Sequence, residues 1–129
     1  MPKRKKKHKY HVNEDHTYEY LKEMFPDIKI EKQFTIKEDV IVDGKKIQSK
    51  VIIDFYFIKN GINYFIEYNG KQHYEPIRRF GGKKAFIKRQ KRDQWVRDWC
   101  KLNNYVLIEI DGREFVNEGI KAHLESIFV

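Results

Sequence analysis

The sequence predicts an α/β fold in which helices flank a mixed central sheet. Apolar residues recur at helical spacing near both ends of the chain and over 83–104, and short alternating or apolar runs lie between them. Two dipeptides typical of tight hairpins, Asp43-Gly44 and Asn60-Gly61, connect three of these runs. The predicted order is helix, three meandering strands, helix, strand, helix. The last strand can return to the same sheet by a crossover, which makes the sheet mixed.

The N-terminal part combines a tail and a helix. Residues 1–12 are basic and lack apolar periodicity, which predicts a flexible tail ahead of a single domain over 13–129. A first helix is predicted over 17–25, with Thr17 as its N-cap and Pro26 where it stops.

Three strands are predicted to follow as a meander. The run IEKQFTI alternates as a strand does, and a long strand over 47–58 begins after the Asp43-Gly44 turn. The third strand, 62–69, returns after Asn60-Gly61. The last paired residues of this second hairpin should be Lys59 and Ile62.

The C-terminal half predicts two helices around one strand. A long helix over 83–104 ends at the Asn103-Asn104 pair, whose residues tolerate a left-handed conformation. Its inward face carries Phe86, Asp93, Val96 and Cys100. YVLIEI then predicts a short buried strand, and a last amphipathic helix over about 113–127 should turn four apolar residues inward: Phe115, Ile120, Leu124 and Ile127.

Composition restricts the class of protein. One cysteine among 129 residues cannot form an internal disulfide, and no paired Cys/His spacing predicts a structural zinc site. No run approaches the roughly 18 apolar residues of a membrane span, and no apolar stretch follows the basic start as in a secretory signal. The expectation is a soluble, cytoplasmic protein without membrane contact, in the host cytoplasm if a phage encodes it.

Positive charge is concentrated in two blocks. The net charge is +8, and the tail MPKRKKKHK contains six of the basic residues. Between Arg78 and Arg92 there are eight Lys and Arg residues and no acid. Two such blocks predict a polyanionic partner, with nucleic acid first, although a solvated tail and an ordinary charged helix face are the alternative.

The hairpin at Asn60-Gly61 predicts an unusual pair of acids. Counting back from its turn brings Asp54 opposite Glu67, with Cβ atoms about 4.5–5.5 Å apart. Like charges among apolar neighbours are costly, so either one carboxyl is protonated or a divalent cation such as Mg²⁺ or Mn²⁺ lies between the two. Asn69 could add an amide oxygen. Alternatively, both acids lie at a solvated sheet end and pair with lysines.

Further residues suit phosphodiester hydrolysis, which needs a metal, a base and positive groups that hold the backbone. His73 follows the same strand and could take a proton from the attacking water. Eight basic residues are candidate nucleic-acid contacts: Lys71, Arg78, Arg79, Lys83, Lys84, Lys88, Lys91 and Arg92. Small size implies that cutting both strands of DNA would need a homodimer or two separate events.

Three features together resemble the restriction-endonuclease-like (PD-(D/E)xK) superfamily: Asp54, Glu67 within IEYNGKQHY, and the segment GGKKAF…RD…WC…NNY.LIEI. The chain is more closely similar to small nucleases related to very-short-patch-repair endonucleases and to a phage homing-endonuclease group. The likeness covers roughly residues 15–112.

The resemblance implies an αβββαβ nuclease core that cleaves DNA with a divalent metal held by Asp54 and Glu67. It also assigns an acid on the first helix, matched by Glu19, and an acid on the later helix, matched by Asp93. Gln72 and His73 match the polar pair after the third strand. Glu19 can equally be a solvated helix acid, and Asp93 a structural partner of Arg89 or Arg97.

One position departs from the pattern of the superfamily. The lysine that usually follows the second acid by two residues is here Asn69, where closer relatives often have Asp. Either the base role moves to His73 or Lys71, or metal binding is weaker. A nucleic-acid-binding module on an inactive nuclease core is therefore the alternative to a metal-dependent DNA endonuclease.

Overall fold

A computed structural model of the protein describes residues 12–128, without the side chains of 40–42 and 47–49. The predicted tail lies outside the described residues, apart from Val12, which begins the first helix. The elements are α1 (Val12–Met24), β1 (Glu31–Val42), β2 (Lys45–Lys59), β3 (Ile62–Asn69), α2 (Gly82–Asn103), β4 (Val106–Asp111) and α3 (Glu118–Phe128). Two short 3-10 helices, Lys71–His73 and Arg78–Phe80, lie between β3 and α2. The predicted element order is confirmed.

The four strands form one mixed sheet in the order β1-β2-β3-β4. β1–β2 and β2–β3 are antiparallel, whereas β3–β4 is parallel because α2 carries the chain back across the sheet. Both hairpin turns have positive φ at their central residues: 50° and 74° at Asp43-Gly44, and 52° and 78° at Asn60-Gly61. These are the type I′ turns that the sequence predicts.

A hydrophobic cluster covers each face of the sheet. On one face, α1 and α3 pack Leu21, Ile120 and Leu124 against Phe55, Phe57 and Ile66. On the other, α2 packs Val96 and Cys100 against Ile36, Val51, Ile53 and Phe65. Within residues 12–128, no helix combines the length and the apolar character needed to cross a membrane.

The alternation of side chains breaks at Asp54. Ile53 belongs to the α2 cluster and Phe55 to the opposite one, although residues two apart in a regular strand share a face. The pairs Lys32–Phe55 and Phe34–Ile53 enclose Gln33 and Asp54, which are not paired with each other. Gln33 has a left-handed backbone, with φ of 56°. This irregularity in both strands redirects the Asp54 side chain out of the normal pattern.

The start of α1 differs from the prediction. The helix begins at Val12 instead of 17, so Thr17 is a buried residue inside it and the N-cap assignment was wrong. The Thr17 hydroxyl donates to the Asn13 carbonyl four residues earlier, at 2.7 Å. A hydroxyl bonded back in this way fits into a helix interior.

The start of α3 was also predicted too early. Asn117 has a left-handed backbone with φ of 51°, which ends any helical run before it, and α3 begins at Glu118. Ile120 and Leu124 are buried as predicted, but Ile127 is 41% exposed. Phe128 packs against the core instead.

Candidate active site

The candidate site lies where β3 separates from β2. Their pairing runs from Lys59–Ile62 to Phe55–Ile66, as predicted, and stops one step before Asp54 and Glu67. Beyond this point β2 continues beside β1 and β3 beside β4. A cleft of about 580 Å³ opens there. Both acids line the cleft and lie close enough for the charge of Glu67 to act on Asp54, but they are not paired in the ladder.

Asp54 is a half-buried carboxyl held by one backbone group. The amide of Tyr68 donates to its Oδ2 at 2.9 Å. Burial, together with the nearby charges of Glu14 and Glu67, raises the pKa of Asp54 from 3.8 to about 8, against the opposing effects of the Tyr68 amide and Arg92. At neutral pH, Asp54 is therefore mostly protonated unless a cation compensates its charge.

Glu67 is bound by an arginine from α2. Arg92 donates from Nη1 to Glu67 Oε2 and from Nη2 to Glu67 Oε1, both at 2.6 Å. The same guanidinium reaches Asp93 Oδ1 at 3.0 Å and the Ile52 carbonyl at 2.6 Å. Burial alone would lower the pKa of Arg92, but its bonds to Glu67 and Asp93 raise it, so the charge is permanent. This bidentate pair neutralises a carboxylate whose side chain is only 4% exposed.

His73 and Asp93 form the second polar pair of the cleft. His73 Nδ1 lies 2.8 Å from Asp93 Oδ2, with side chains 15% and 4% exposed. Burial would raise the pKa of Asp93, but hydrogen bonds with His73 and Arg92 outweigh it and hold the pKa low. An ionised Asp93 favours a proton on Nδ1, which leaves Nε2 as the basic nitrogen of the ring. The structural partners of Asp93 are thus His73 and Arg92, and not the alternatives Arg89 or Arg97.

Asn69 brings a buried acceptor to the cleft. Its side chain is 1% exposed, and its Nδ2 donates to Glu109 Oε1 at 3.2 Å. Among the described residues, nothing donates a hydrogen bond to Asn69 Oδ1. A buried acceptor without a partner costs free energy, which a bound donor or cation would recover.

Asp54 and Glu67 differ in how far their oxygen atoms are already bound within the protein. Within residues 12–128, no group of three or more His, Cys, Asp and Glu side chains is placed to hold a metal. Mg²⁺, however, keeps several waters and needs only one or two carboxylates together with substrate phosphate. Asp54 supplies one carboxylate to the cleft and Asn69 lines the same cleft, whereas both oxygens of Glu67 accept hydrogen bonds from Arg92. Arg92 already neutralises the charge of Glu67, so Glu67 would attract a cation less strongly than an ionised Asp54.

The structure brings four of the six predicted catalytic residues into the cleft: Asp54, Glu67, Gln72 and His73. Asp93 reaches it through His73. Glu19 does not line it and lies 3.8 Å from His16 on the exposed side of α1, which agrees with the alternative of a solvated helix acid. Glu14 faces the cleft instead, because α1 starts five residues earlier than predicted.

Glu14 was missed although the sequence contains a signal for it. Glu14 and Asp15 follow Asn13, and acids are favoured in the first turn of a helix by its dipole. Gln33 Nε2 donates to Glu14 Oε1 at 2.7 Å, which ties α1 to the irregularity beside Asp54.

The predicted basic contacts divide into three groups. Lys71 and Arg79 line the cleft. Exposed positions along the 3-10 segment and α2 are taken by Arg78, Lys83, Lys84, Lys88 and Lys91. Arg92 also lines the cleft, but its guanidinium is directed at Glu67 and Asp93 and not at an open phosphate position.

Comparison with known proteins gives one relative and no family. No family model matches the chain, and no solved structure matches it. The chain is similar to the uncharacterized protein 307L of Invertebrate iridescent virus 6, with 39% identity over 71 residues. The match covers 54% of this chain and 35% of the viral protein, so the chain spans about a third of that relative.

Proposed function

We propose that the protein is a divalent-metal-dependent endonuclease that hydrolyses phosphodiester bonds in DNA, on a restriction-endonuclease-like core. The observation that supports this most is the convergence of Asp54, Glu67 and the His73–Asp93 pair on one cleft. Lys71 and Arg79 line the same cleft and suit a phosphate backbone. The order α1-β1-β2-β3-α2-β4, with β4 parallel to β3, agrees with the αβββαβ order of such a core.

Each side chain has a role in this proposal. Asp54, with Asn69 as a second oxygen donor in the same cleft, would hold Mg²⁺ or Mn²⁺, and the bound ion would supply polarisation of the scissile phosphate and a more acidic water. His73 Nε2 accepts the proton of the attacking water, and ionised Asp93 stabilises the imidazolium that results. Lys71 and Arg79 hold the backbone in the cleft. Arg92 holds Glu67 and Asp93 in place through its hydrogen bonds to both carboxylates.

A second candidate is a DNA-binding module on a catalytically inactive core. Two observations favour it: Arg92 occupies both oxygens of Glu67, and Asn69 replaces the lysine of the superfamily pattern. Under this alternative, the polar groups of the cleft only bind phosphate.

A cleavage assay tests the proposal. The full chain is incubated with Mg²⁺ or Mn²⁺ and a panel of linear duplex, mismatched, branched and single-stranded DNA, with and without EDTA. We expect at least one substrate to be cut, and EDTA to stop the reaction because the metal is required. Binding without cleavage on the whole panel would support the inactive-core alternative, and absence of binding would refute both.

The variant His73→Ala tests the assigned base. We expect the cleavage rate to fall by a factor on the order of 10²–10⁴, because a positioned proton acceptor is lost, while DNA affinity stays the same. His16→Ala is the matched control, since His16 is on α1 and does not line the cleft. An unchanged rate in His73→Ala would remove His73 from the mechanism.

A further inference from the structure

The β1–β2 hairpin extends well past β3 as a two-stranded ribbon. β3 pairs only with residues 55–59 of β2, so from Ile53 to the turn the hairpin has no third strand. The ribbon comprises residues 34–53. One face of the ribbon packs on α2 through Ile36 and Val51. The alternate residues, Thr35, Lys37, Lys50 and Ile52, are exposed. They form the outer face of the ribbon, on the side of the sheet where α1 packs.

Two like charges oppose each other on this outer face. Lys37 and Lys50 are direct cross-strand partners, which places their Cβ atoms about 4.5–5.5 Å apart. Like charges in this position destabilise a sheet unless an anion compensates them.

The nearby acids do not compensate this pair. Asp39 forms its ion pair with Lys46, at 3.2 Å, and Glu38 accepts a hydrogen bond from Trp99 on the α2 side. Among the described residues, neither Lys37 nor Lys50 has a carboxylate ion-pair partner. The outer face thus keeps an uncompensated charge of +2 from these two residues.

One lysine of the pair lies on the same strand as Asp54. Lys50 precedes Asp54 by four residues on β2, a distance of about 13 Å along a strand. Successive phosphates of one B-DNA strand advance about 3.4 Å along the helix axis, so 13 Å corresponds to about four base-pair steps. A duplex whose scissile phosphate lies at Asp54 can therefore bring a flanking phosphate to this pair.

We infer that Lys37 and Lys50 form a phosphate anchor that binds the backbone of duplex DNA flanking the cleft. The choice of DNA as ligand rests on the proposed function, whereas the anchor itself rests on the register and exposure of the ribbon. The anchor extends the DNA contact from the cleft onto the outer face of the ribbon. The helix α2 packs on the opposite face of the ribbon.

Salt-dependent binding tests the anchor. The full chain and the variant Lys37→Gln/Lys50→Gln are titrated in EDTA with a duplex of about 20 base pairs over a range of salt concentrations. We expect the slope of log K against log salt to become shallower by about 1.8, and binding at 0.1 M salt to weaken roughly 10- to 100-fold. A single strand of the same sequence serves as a second ligand. Its affinity should fall less than that of the duplex when the two lysines are replaced.

A control and a second variant separate the anchor from general charge effects. Lys29→Gln/Lys101→Gln removes the same charge from exposed positions outside the cleft and the ribbon, and should change the slope much less. Lys50→Glu turns the repelling pair into an attracting one, so it should raise the midpoint of thermal unfolding while weakening DNA binding.

The outcomes distinguish this inference from the proposed function. If the wild type binds duplex and the two double variants have equal slopes, the anchor is refuted and the proposed function stands. If the wild type does not bind DNA at any salt concentration, the proposed function fails and the anchor fails with it.

Discussion

Asp54→Asn is expected to reduce DNA cleavage by a factor on the order of 10³ or more and to leave DNA affinity nearly unchanged. An amide cannot supply the negative charge that a divalent cation needs in the cleft, and charge stabilisation of this kind contributes factors of that size. The measurement compares, for both proteins, the single-turnover rate of DNA cleavage with metal and the DNA affinity in EDTA. Asp27→Asn, which removes an exposed acid outside the cleft, should behave as the wild type. Full cleavage by Asp54→Asn would refute the assigned metal ligand.

The same variant should be more stable than the wild type when metal is absent. The pKa of Asp54 is about 8 in the folded chain, against an ordinary value of 3.8, so the folded state binds the extra proton between these pH values. Stability of the wild type should therefore fall as pH rises from about 4 to about 8. Each pKa unit corresponds to about 1.4 kcal/mol, and allowing for relaxation of the site we expect Asp54→Asn to gain about 2–4 kcal/mol at pH 8.

Urea unfolding in EDTA at pH 4 and pH 8 measures this difference. At pH 4 the two proteins should have nearly equal free energies of unfolding. Added Mg²⁺ or Mn²⁺ should stabilise only the wild type, because the cation binds the folded protein in place of the Asp54 proton, and the amide in Asp54→Asn lacks the charge that binds it. Parallel pH dependence in the two proteins would contradict the raised pKa.

Arg92→Ala is expected to cost about 3–5 kcal/mol of folding free energy, because it leaves the buried carboxylate of Glu67 without its partner. Arg97→Ala provides the matched control on the same helix. Arg97 pairs with Glu109 in a similar geometry, but these side chains are 43% and 25% exposed, so the loss should be about 1 kcal/mol or less.

A second substitution separates the pair from the packing of the arginine. Arg92→Met/Glu67→Gln removes both charges and should recover part of the stability lost in Arg92→Ala. Urea unfolding at pH 7 measures all four proteins. Equal losses for Arg92→Ala and Arg97→Ala would show that burial of Glu67 does not determine the strength of the pair.

The proximity of Asp54 and Glu67 could be predicted because it depends on the type of one turn. Asn60-Gly61 favours a two-residue type I′ turn, and this turn fixes the register of every later pair in the hairpin. Sequence could not predict that the pairing stops just before the two acids. That point depends on β3 continuing beside β4, which the crossover through α2 brings from far along the chain.

The role of Arg92 could not be predicted from the sequence, for a related reason. Arg92 was predicted to contact phosphate because it belongs to a run of lysines and arginines, which is typical of a charged surface. The phase of α2 turns Arg92 and Asp93 toward the sheet while Lys88 and Lys91 remain exposed. A helix that starts one residue earlier or later would turn them elsewhere, and helix ends are the least certain part of a sequence prediction.

The errors at helix ends explain the misplaced acid. The stretch 12–16 lacks apolar periodicity, and its contact with the start of α3, where the amide of Asn117 donates to Asn13 Oδ1, joins residues far apart in the sequence. With α1 starting at Val12, the helix acid that lines the cleft is Glu14, and not Glu19 as the resemblance implies.

Cys100, the single thiol of the chain, lies within the α2 cluster and is 2% exposed. Burial, together with the charges of Glu67 and Glu109, raises the pKa of this thiol to about 11. At pH 7 only about one molecule in 10⁴ then carries the reactive thiolate, and alkylating reagents can reach it only when α2 leaves the sheet. The native cysteine therefore acts as a built-in reporter of opening between α2 and the sheet, and its modification rate follows that opening without any engineered label.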